Sequence, residues 1–277
     1  VEALVGPTLQ SIFFQDYTEK LWGIPTDQMS ANWAPKRISL LKKHRAFWEG
    51  QYSACGKYGA GMVMDRIGDI IRENNGVIYL NHKVTKMVEN NYIIEKIIFD
   101  NGKEINVSDA TIVSTIPLNI LCNSLSIDCN LLFNSVRLVF IVFSCKYVLP
   151  EGVHSIYYAS ENYDFHRVTE QKQYSDHNYP ANKTLLIFEV SYVKRKYLGT
   201  MEDDEIVDRI LGQYSSIGMV DKKDFVKGFS RKLPNVNPIH TLDYQVELSK
   251  INSKIWKFKN LHTAGGAAEF IYGDVQT

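Results

Sequence analysis

The sequence predicts a mixed α/β chain, and three observations carry that prediction. Apolar residues recur at helical spacing near the amino end and again over 202–216. Between them lie short stretches rich in β-branched residues, punctuated by Asn- and Gly-containing turns. Longer strand-like runs then occupy 135–192.

Pro7 and Thr8 open a first helix in which Leu9, Ile12, Phe13, Tyr17 and Leu21 keep helical spacing, and Gly23 and Pro25 close it. Ser30 caps a second helix through "SANWAPKRISLLKK", and Val63, Ile67, Ile70 and Ile71 mark a third that stops at "ENNG". The period then changes. "GVIYLN", "KVTKMV", "YIIEKIIF", "EINV" and "ATIVST" read as strands with turns at Asn90-Asn91 and Asp100-Asn101-Gly102, an antiparallel meander ending in a buried strand. Beyond "IPLNIL", the runs "SVRLVFIVFS", "HSIYYAS", "DFHRVTE" and "TLLIFEVSY" predict a second, mainly antiparallel sheet. A helix over "EDDEIVDRILGQYSS" presents Ile206, Val207, Ile210, Leu211 and Tyr214 to it.

With 277 residues, 45% of them hydrophobic, the chain can bury a large core. Basic and acidic residues balance at 31 each, so no net field draws nucleic acid, and none is expected as a partner. Cys55, Cys122, Cys129 and Cys145 follow no metal-ligand spacing; they read as reduced thiols of a cytoplasmic protein, and no metal site is expected. The most apolar run, "LLFNSVRLVFIVFS", is too short to cross a bilayer and carries Asn134 and Arg137, so no integral membrane segment is expected. The chain starts without an initiator methionine or a secretion signal, and we expect a fragment of a longer protein.

No nucleophile elbow, zinc-binding His pair or Walker loop is present, and "GKYGAGMVM" has Met64 where a dinucleotide fingerprint needs glycine. Three stretches hold candidate site residues. In "DYTEKLWGIP", Tyr17 and Trp22 flank Lys20, either as an aromatic rim with a cation or as core beside a solvated charge. Arg167 in "YDFHRVTEQK" is either a fixed planar cation pointing inward or a surface residue. Gly265 and Gly266 follow the strand-like "KNLHT", where missing Cβ atoms let a ligand approach the backbone and a helix start offers amide donors.

In order and spacing, "FFQDYTEKLWGIPTDQMSANWAPKRI", "NHKVTKMV", "DATIVSTIPL", "DFHRV" and "LHTAGGAAEFIYGD" resemble segments of the flavin-dependent amine-oxidase superfamily. The likeness is to its branch with UDP-galactopyranose mutase and protoporphyrinogen-oxidase-like proteins, and it spans almost the whole chain. It implies a flavoprotein with FAD as cofactor in the complete protein, weakly bound or unbound by a fragment without the Rossmann glycine loop. It implies a helical substrate-side region at 1–75, an FAD-domain remnant at 76–125, a mainly antiparallel substrate domain at 126–258, and a return to the FAD domain at 259–277. Cofactor contacts fall on Val84, Thr115, Pro117, Gly265, Gly266, Tyr272 and Asp274. Tyr17, Trp22, Arg37, Arg167 and Tyr244 become the substrate-side residues.

The implied activity is that of an FAD-dependent oxidoreductase in cell-surface polysaccharide synthesis, with a small-molecule substrate. The alternatives are a redox-neutral mutase acting on a sugar nucleotide and a non-catalytic member of the fold. A flavin carries its own electron chemistry, so a missing catalytic triad says nothing against an enzyme. Two departures count against the mutase: Gly266 stands where the family commonly has arginine, and Asn237 where it commonly has tyrosine. Losing the guanidinium removes a bidentate partner for phosphate.

Overall fold

The amino-terminal segment is helical almost without a break, through α1 (Glu2–Leu9), a π-helical turn Gln10–Gln15 and α2 (Asp16–Trp22). Gly6, at φ 80, interrupts α1, so regular helix begins at Pro7, and Gly23 ends α2 in the left-handed conformation at φ 75. A Cβ at Gly23 would stand 2.8 Å from the Val193 side chain, so glycine is required there twice over. The computed structural model describes residues 2–31, 57–175, 177 and 180–273. The expected second helix, Arg37, Cys55 and Asp274 lie outside them.

Two units divide the chain. The first gathers Val1–Thr26, Ala34–Ile78 and Ser135–Leu233; the second gathers Asp27–Trp33, Tyr79–Asn134 and Pro234–Thr277.

In the first unit, α3 (Gly61–Glu73) matches the third expected helix, but its stripe of Val63, Ile67, Ile70 and Ile71 is exposed. The main sheet runs in the order β6 (Ser155–Tyr157), β7 (Arg167–Glu170), β8 (Thr184–Ser191), β5 (Leu132–Phe143), β9 (Phe225–Ile239). The β6–β7, β7–β8 and β8–β5 ladders are antiparallel, as expected for 135–192. α5 (Lys196–Thr200) and α6 (Asp203–Ser216) follow β8. The α6 face of Ile206, Val207, Ile210, Leu211 and Tyr214 packs on Val139, Ile141, Phe143, Phe165 and Phe188 of the sheet side.

The long inner strand β5 holds a charge inside this core. Arg137 is fully buried and donates to Ser230 Oγ at 2.8 Å, to the carbonyls of Leu198 and Met201 at 2.9 and 2.7 Å, and to Asp203 Oδ1 at 3.0 Å. Glu170, also fully buried, accepts from the backbone N–H groups of Val148 and Leu149 and from Thr184 Oγ1. Both charges are hydrogen-bonded, as burial demands.

In the second unit, β1 (Val84–Asn90), β2 (Ile93–Phe99) and β3 (Glu104–Asn106) form the expected antiparallel meander. Its first turn lies one residue later than the sequence suggests, at Asn91-Tyr92 with φ 50 and 62, because the ladder pairs Asn90 with Ile93. Two strand expectations need correction. "GVIYLN" forms no strand, since no described segment pairs with it. β4 (Ile112–Ser114) does not extend the meander: it pairs in parallel with β10 (Leu261–Thr263), and Val113 is 59% exposed. Asn260 ties the two sheets of this unit together, accepting from Ile94 N–H and donating to the Ile94 and Val107 carbonyls. Two helices, α4 (Leu118–Ser124) and α7 (Tyr244–Ile255), complete the unit around Leu118, Leu121, Phe133, Ile251, Ile255 and Phe270.

Candidate functional site

The candidate residues fall into two sets, one in each unit.

In the first unit the sheet register builds a row. Arg167 lies opposite Tyr157 on β6 and opposite Glu189 on β8, so three neighbouring strands each supply one side chain. Arg167 donates through Nε to Glu189 Oε1 at 2.8 Å and through Nη2 to the same oxygen at 2.5 Å, and its guanidinium lies over the Tyr157 ring at 5.8 Å. With 38% of its side chain exposed, the cation is fixed yet reachable. α2 sets Tyr17 against Tyr157 and His166, edge to face at 5.8 and 6.1 Å, while Phe13 stacks on Tyr17 at 5.7 Å. Trp22, one turn further, is only 4% exposed and belongs to the core. Lys20 is not a solvated charge: its Nζ donates to the carbonyls of Tyr158 and Ser160 at 3.1 and 2.7 Å, and burial pushes its pKa down to about 8.

The electrostatics of the row centre on Glu189. Burial alone would raise its carboxyl, but hydrogen bonds from His166 and Arg167 more than offset this and hold it below the usual range. Burial likewise works against the Arg167 charge, and Glu189 more than restores it. His166 is buried deeply enough that its pKa is lowered, which leaves a neutral ring. Its Nε2 stands 3.4 Å from Glu189 Oε2, so the tautomer with the proton on Nε2 places it between them, and the buried Nδ1 has no partner among the described residues. An imidazole acceptor, a carboxylate, a guanidinium and two phenol rings therefore share one patch.

The second set lies in the second unit. The parallel β4 ends at Ser114, whose buried Oγ has no hydrogen-bond partner among the described residues, and Thr115 and Pro117 follow on the loop into α4. Ligands of parallel sheets bind beyond the carboxyl ends of the strands. β10 leaves its end in the same direction into Gly265 and Gly266. Gly265 has φ +87 and empty space where a Cβ would be, and the Gly266 carbonyl accepts from the Ile271 N–H. Tyr272 is half-buried just beyond. Val84 opens β1, an edge strand, so the backbone groups of that strand that point away from β2 have no ladder partner. Tyr244 stacks on His240 at 4.2 Å and lines a cleft of about 250 Å³ with Asn130, Asp243, Glu247 and Lys250. Among the described residues no cluster could hold a metal ion, and no helix is long and apolar enough to cross a membrane.

Sequence reasoning named Arg167 but missed Tyr157, His166, Glu189 and Ser114. His166 is adjacent to Arg167 in the quoted motif, whereas Tyr157 and Glu189 become its neighbours only through strand register. Ser114 sat unremarked inside "VSTIPL".

The family model of UDP-galactopyranose mutase matches residues 12–206, more than two thirds of the chain. The chain belongs to the UDP-galactopyranose mutase family. Its fold is similar to that of a crystal structure of reduced UDP-galactopyranose mutase, with TM-score 0.79 and 16% identity over 98% of this chain and 62% of that one. A protoporphyrinogen-oxidase-like protein from Exiguobacterium sp. 255-15 aligns at TM-score 0.59 and 16% identity, over 76% of this chain and 46% of that one. A putrescine oxidase triple mutant aligns at 0.51 and 14%, over 76% and 47%. This chain thus spans about 62% of the length of the mutase it resembles. No curated protein matches it.

Proposed function

We propose that the protein is an FAD-dependent enzyme acting on a ring-bearing anionic substrate, a sugar nucleotide, in the manner of its family's redox-neutral mutase. The observation that carries this reading is the row Tyr157–Arg167–Glu189 with Tyr17 packed on it. Aromatic faces orient a ring while a fixed guanidinium holds phosphate or carboxylate charge, a combination suited to a nucleotide sugar rather than a simple amine. Glu189 keeps the guanidinium in place, and the buried, neutral His166 donates from Nε2 toward Glu189 and steadies that carboxylate. Such a substrate places the protein in cell-surface polysaccharide synthesis.

The residues of the second unit fit the cofactor. The buried Ser114 Oγ, the open space at Gly265 with Gly266 beside it, Thr115, Pro117, Tyr272 and the edge strand β1 at Val84 are the groups that would hold FAD. When bound, FAD would supply the two-electron chemistry that none of these side chains can. The protein's own task is then to orient substrate, exclude water and hold charge.

A second reading, net FAD-dependent oxidation, is favoured by Gly266, because a missing arginine leaves one fewer cation for a diphosphate. In protein expressed from its complete reading frame, Arg167→Ala is expected to weaken UDP-sugar binding by about 1.5–3 kcal/mol in titration calorimetry, with the flavin spectrum unchanged. Undiminished affinity in the variant would remove Arg167 from the site. Rearrangement of UDP-galactopyranose without net consumption of an electron acceptor supports the mutase; stoichiometric acceptor reduction supports the oxidoreductase.

A further inference from the structure

Lys20 stands about one helical turn beyond Tyr17 on α2 and is only 6% exposed, and the function proposed above gives it no task. Its ammonium donates to the Tyr158 and Ser160 carbonyls at 3.1 and 2.7 Å. Those oxygens belong to the segment that runs directly on from Tyr157, the ring against which Tyr17 lies. α2 therefore meets one stretch of chain twice, ring to ring at Tyr157 and cation to carbonyl just beyond it.

The receiving segment is tied down from its other side. Tyr158 N–H donates to the His166 carbonyl at 2.9 Å, and the buried Asp164 carboxylate accepts from Arg195 at 2.8 Å, Arg209 at 2.5 Å and Gln213 at 2.6 Å. Arg209 and Gln213 belong to α6, so the segment is fixed to the helix that packs on the main sheet. A carboxylate partner could swing on its side chain, whereas two main-chain oxygens move only with the chain that bears them. Lys20 thus fixes where along this segment α2 sits. Burial works against its charge and brings the ammonium down to about 8; Glu161 and Asp164 of the segment favour the cation, and Arg195, just before α5, opposes it. In turn the Lys20 charge disfavours protonation of His166, whose ring also meets Tyr17. The ammonium is largely present at pH 7 and gives way to a neutral amine above about pH 8, whose hydrogen bonds are about half as strong.

We propose that Lys20 is a positioning residue of the substrate side: by gripping the Tyr158 and Ser160 carbonyls it sets the Tyr17 ring against Tyr157 and His166, beside Arg167, a role that rests on the reading of that row as the substrate site. It touches no substrate itself and acts through Tyr17.

The test compares the unaltered protein with Lys20→Met, both expressed from the complete reading frame, by two measurements. The first needs no ligand: in tyrosine-labelled protein, the nuclear Overhauser contact between the Tyr17 and Tyr157 rings should be present at pH 7, absent in Lys20→Met, and weaker in the unaltered protein at pH 9. The second is UDP binding by calorimetry, which should be about tenfold weaker in Lys20→Met at pH 7, with the gap narrowing to about threefold at pH 9 as the native lysine loses its charge. A merely structural lysine would lower stability and leave both the affinity and its pH profile unchanged. If Lys20→Met does not fold, the unaltered protein still decides between pH 7 and pH 9 through the ring contact. A ring contact indifferent to residue 20 and to pH, or undiminished UDP affinity in a folded Lys20→Met, overturns the role. UDP that fails to bind the unaltered protein, while the ring contact still follows Lys20, overturns the sugar-nucleotide reading and supports the anchor.

Discussion

Strands β5 and β4 are both apolar, and they meet opposite fates. β5 lies inside a five-stranded sheet, with Val139, Ile141 and Phe143 fully buried, because its antiparallel partner β8 and the α6 face come from the same unit. β4 has one described partner, β10, and leaves Val113 exposed. The "GVIYLN" stretch, equally rich in strand formers, pairs with nothing described, and Val77 and Leu80 are 70% exposed. Parallel strands are normally covered on both faces and need partners from far along the chain. Strand propensity is thus a licence to pair, and neighbours decide whether it is used.

If the first unit is sealed by internally satisfied polar anchors, its stability is most sensitive at Arg137. Arg137→Ala should cost about 3–5 kcal/mol in urea unfolding, since it leaves the buried Leu198 carbonyl and the Met201 carbonyl without their donor and opens a cavity where a large side chain stood. A loss below about 1 kcal/mol would mean that the core tolerates its removal and that the contrast between the units is overdrawn.

For the second unit the corresponding anchor is Asn260, which joins the meander to β10 by three hydrogen bonds. Asn260→Ala leaves the Ile94 N–H without a partner at a fully buried residue, and about 2–3 kcal/mol of destabilisation is expected. Hydrogen exchange would sharpen the result: the amides of β4 and β10 should lose protection in the variant while those of β5 keep theirs.

The smallest effect separates the units by pH. His166 has a folded pKa below its ordinary value of 6.5, so the unfolded chain binds the proton more readily. Its stabilising contribution is fully present above about pH 6.5 and is lost as pH falls toward the folded value, with a slope of at most about 1.4 kcal/mol per pH unit. His166→Asn, which cannot titrate, should flatten that part of the stability curve. An unchanged slope would show that folding does not lower the His166 pKa.

Local signals in the sequence translated well. Gly23 ended α2, the Asp100-Asn101-Gly102 turn and the meander formed, and the α6 stripe faced the sheet, because each rests on residues within a few positions of one another. α7 and the long β9 escaped notice. β9 carries Lys227, Arg231, Lys232 and Pro234, so its alternation is masked by polar residues on an edge strand. The site was legible only where its residues are adjacent in sequence. Arg167 stood out, while Glu189, 22 residues away, is its partner solely through the β7–β8 register.

The buried Arg137 also constrains the order of assembly. Its hydrogen-bond partners lie 61 to 93 residues further along, on the α5–α6 corner and on β9. Until those segments arrive, closing the sheet would strip water from a cation with nothing to replace it. β5, the helix start and β9 must therefore come together in one step, so a half-assembled sheet is disfavoured and the folding barrier carries the cost of closing loops of that length.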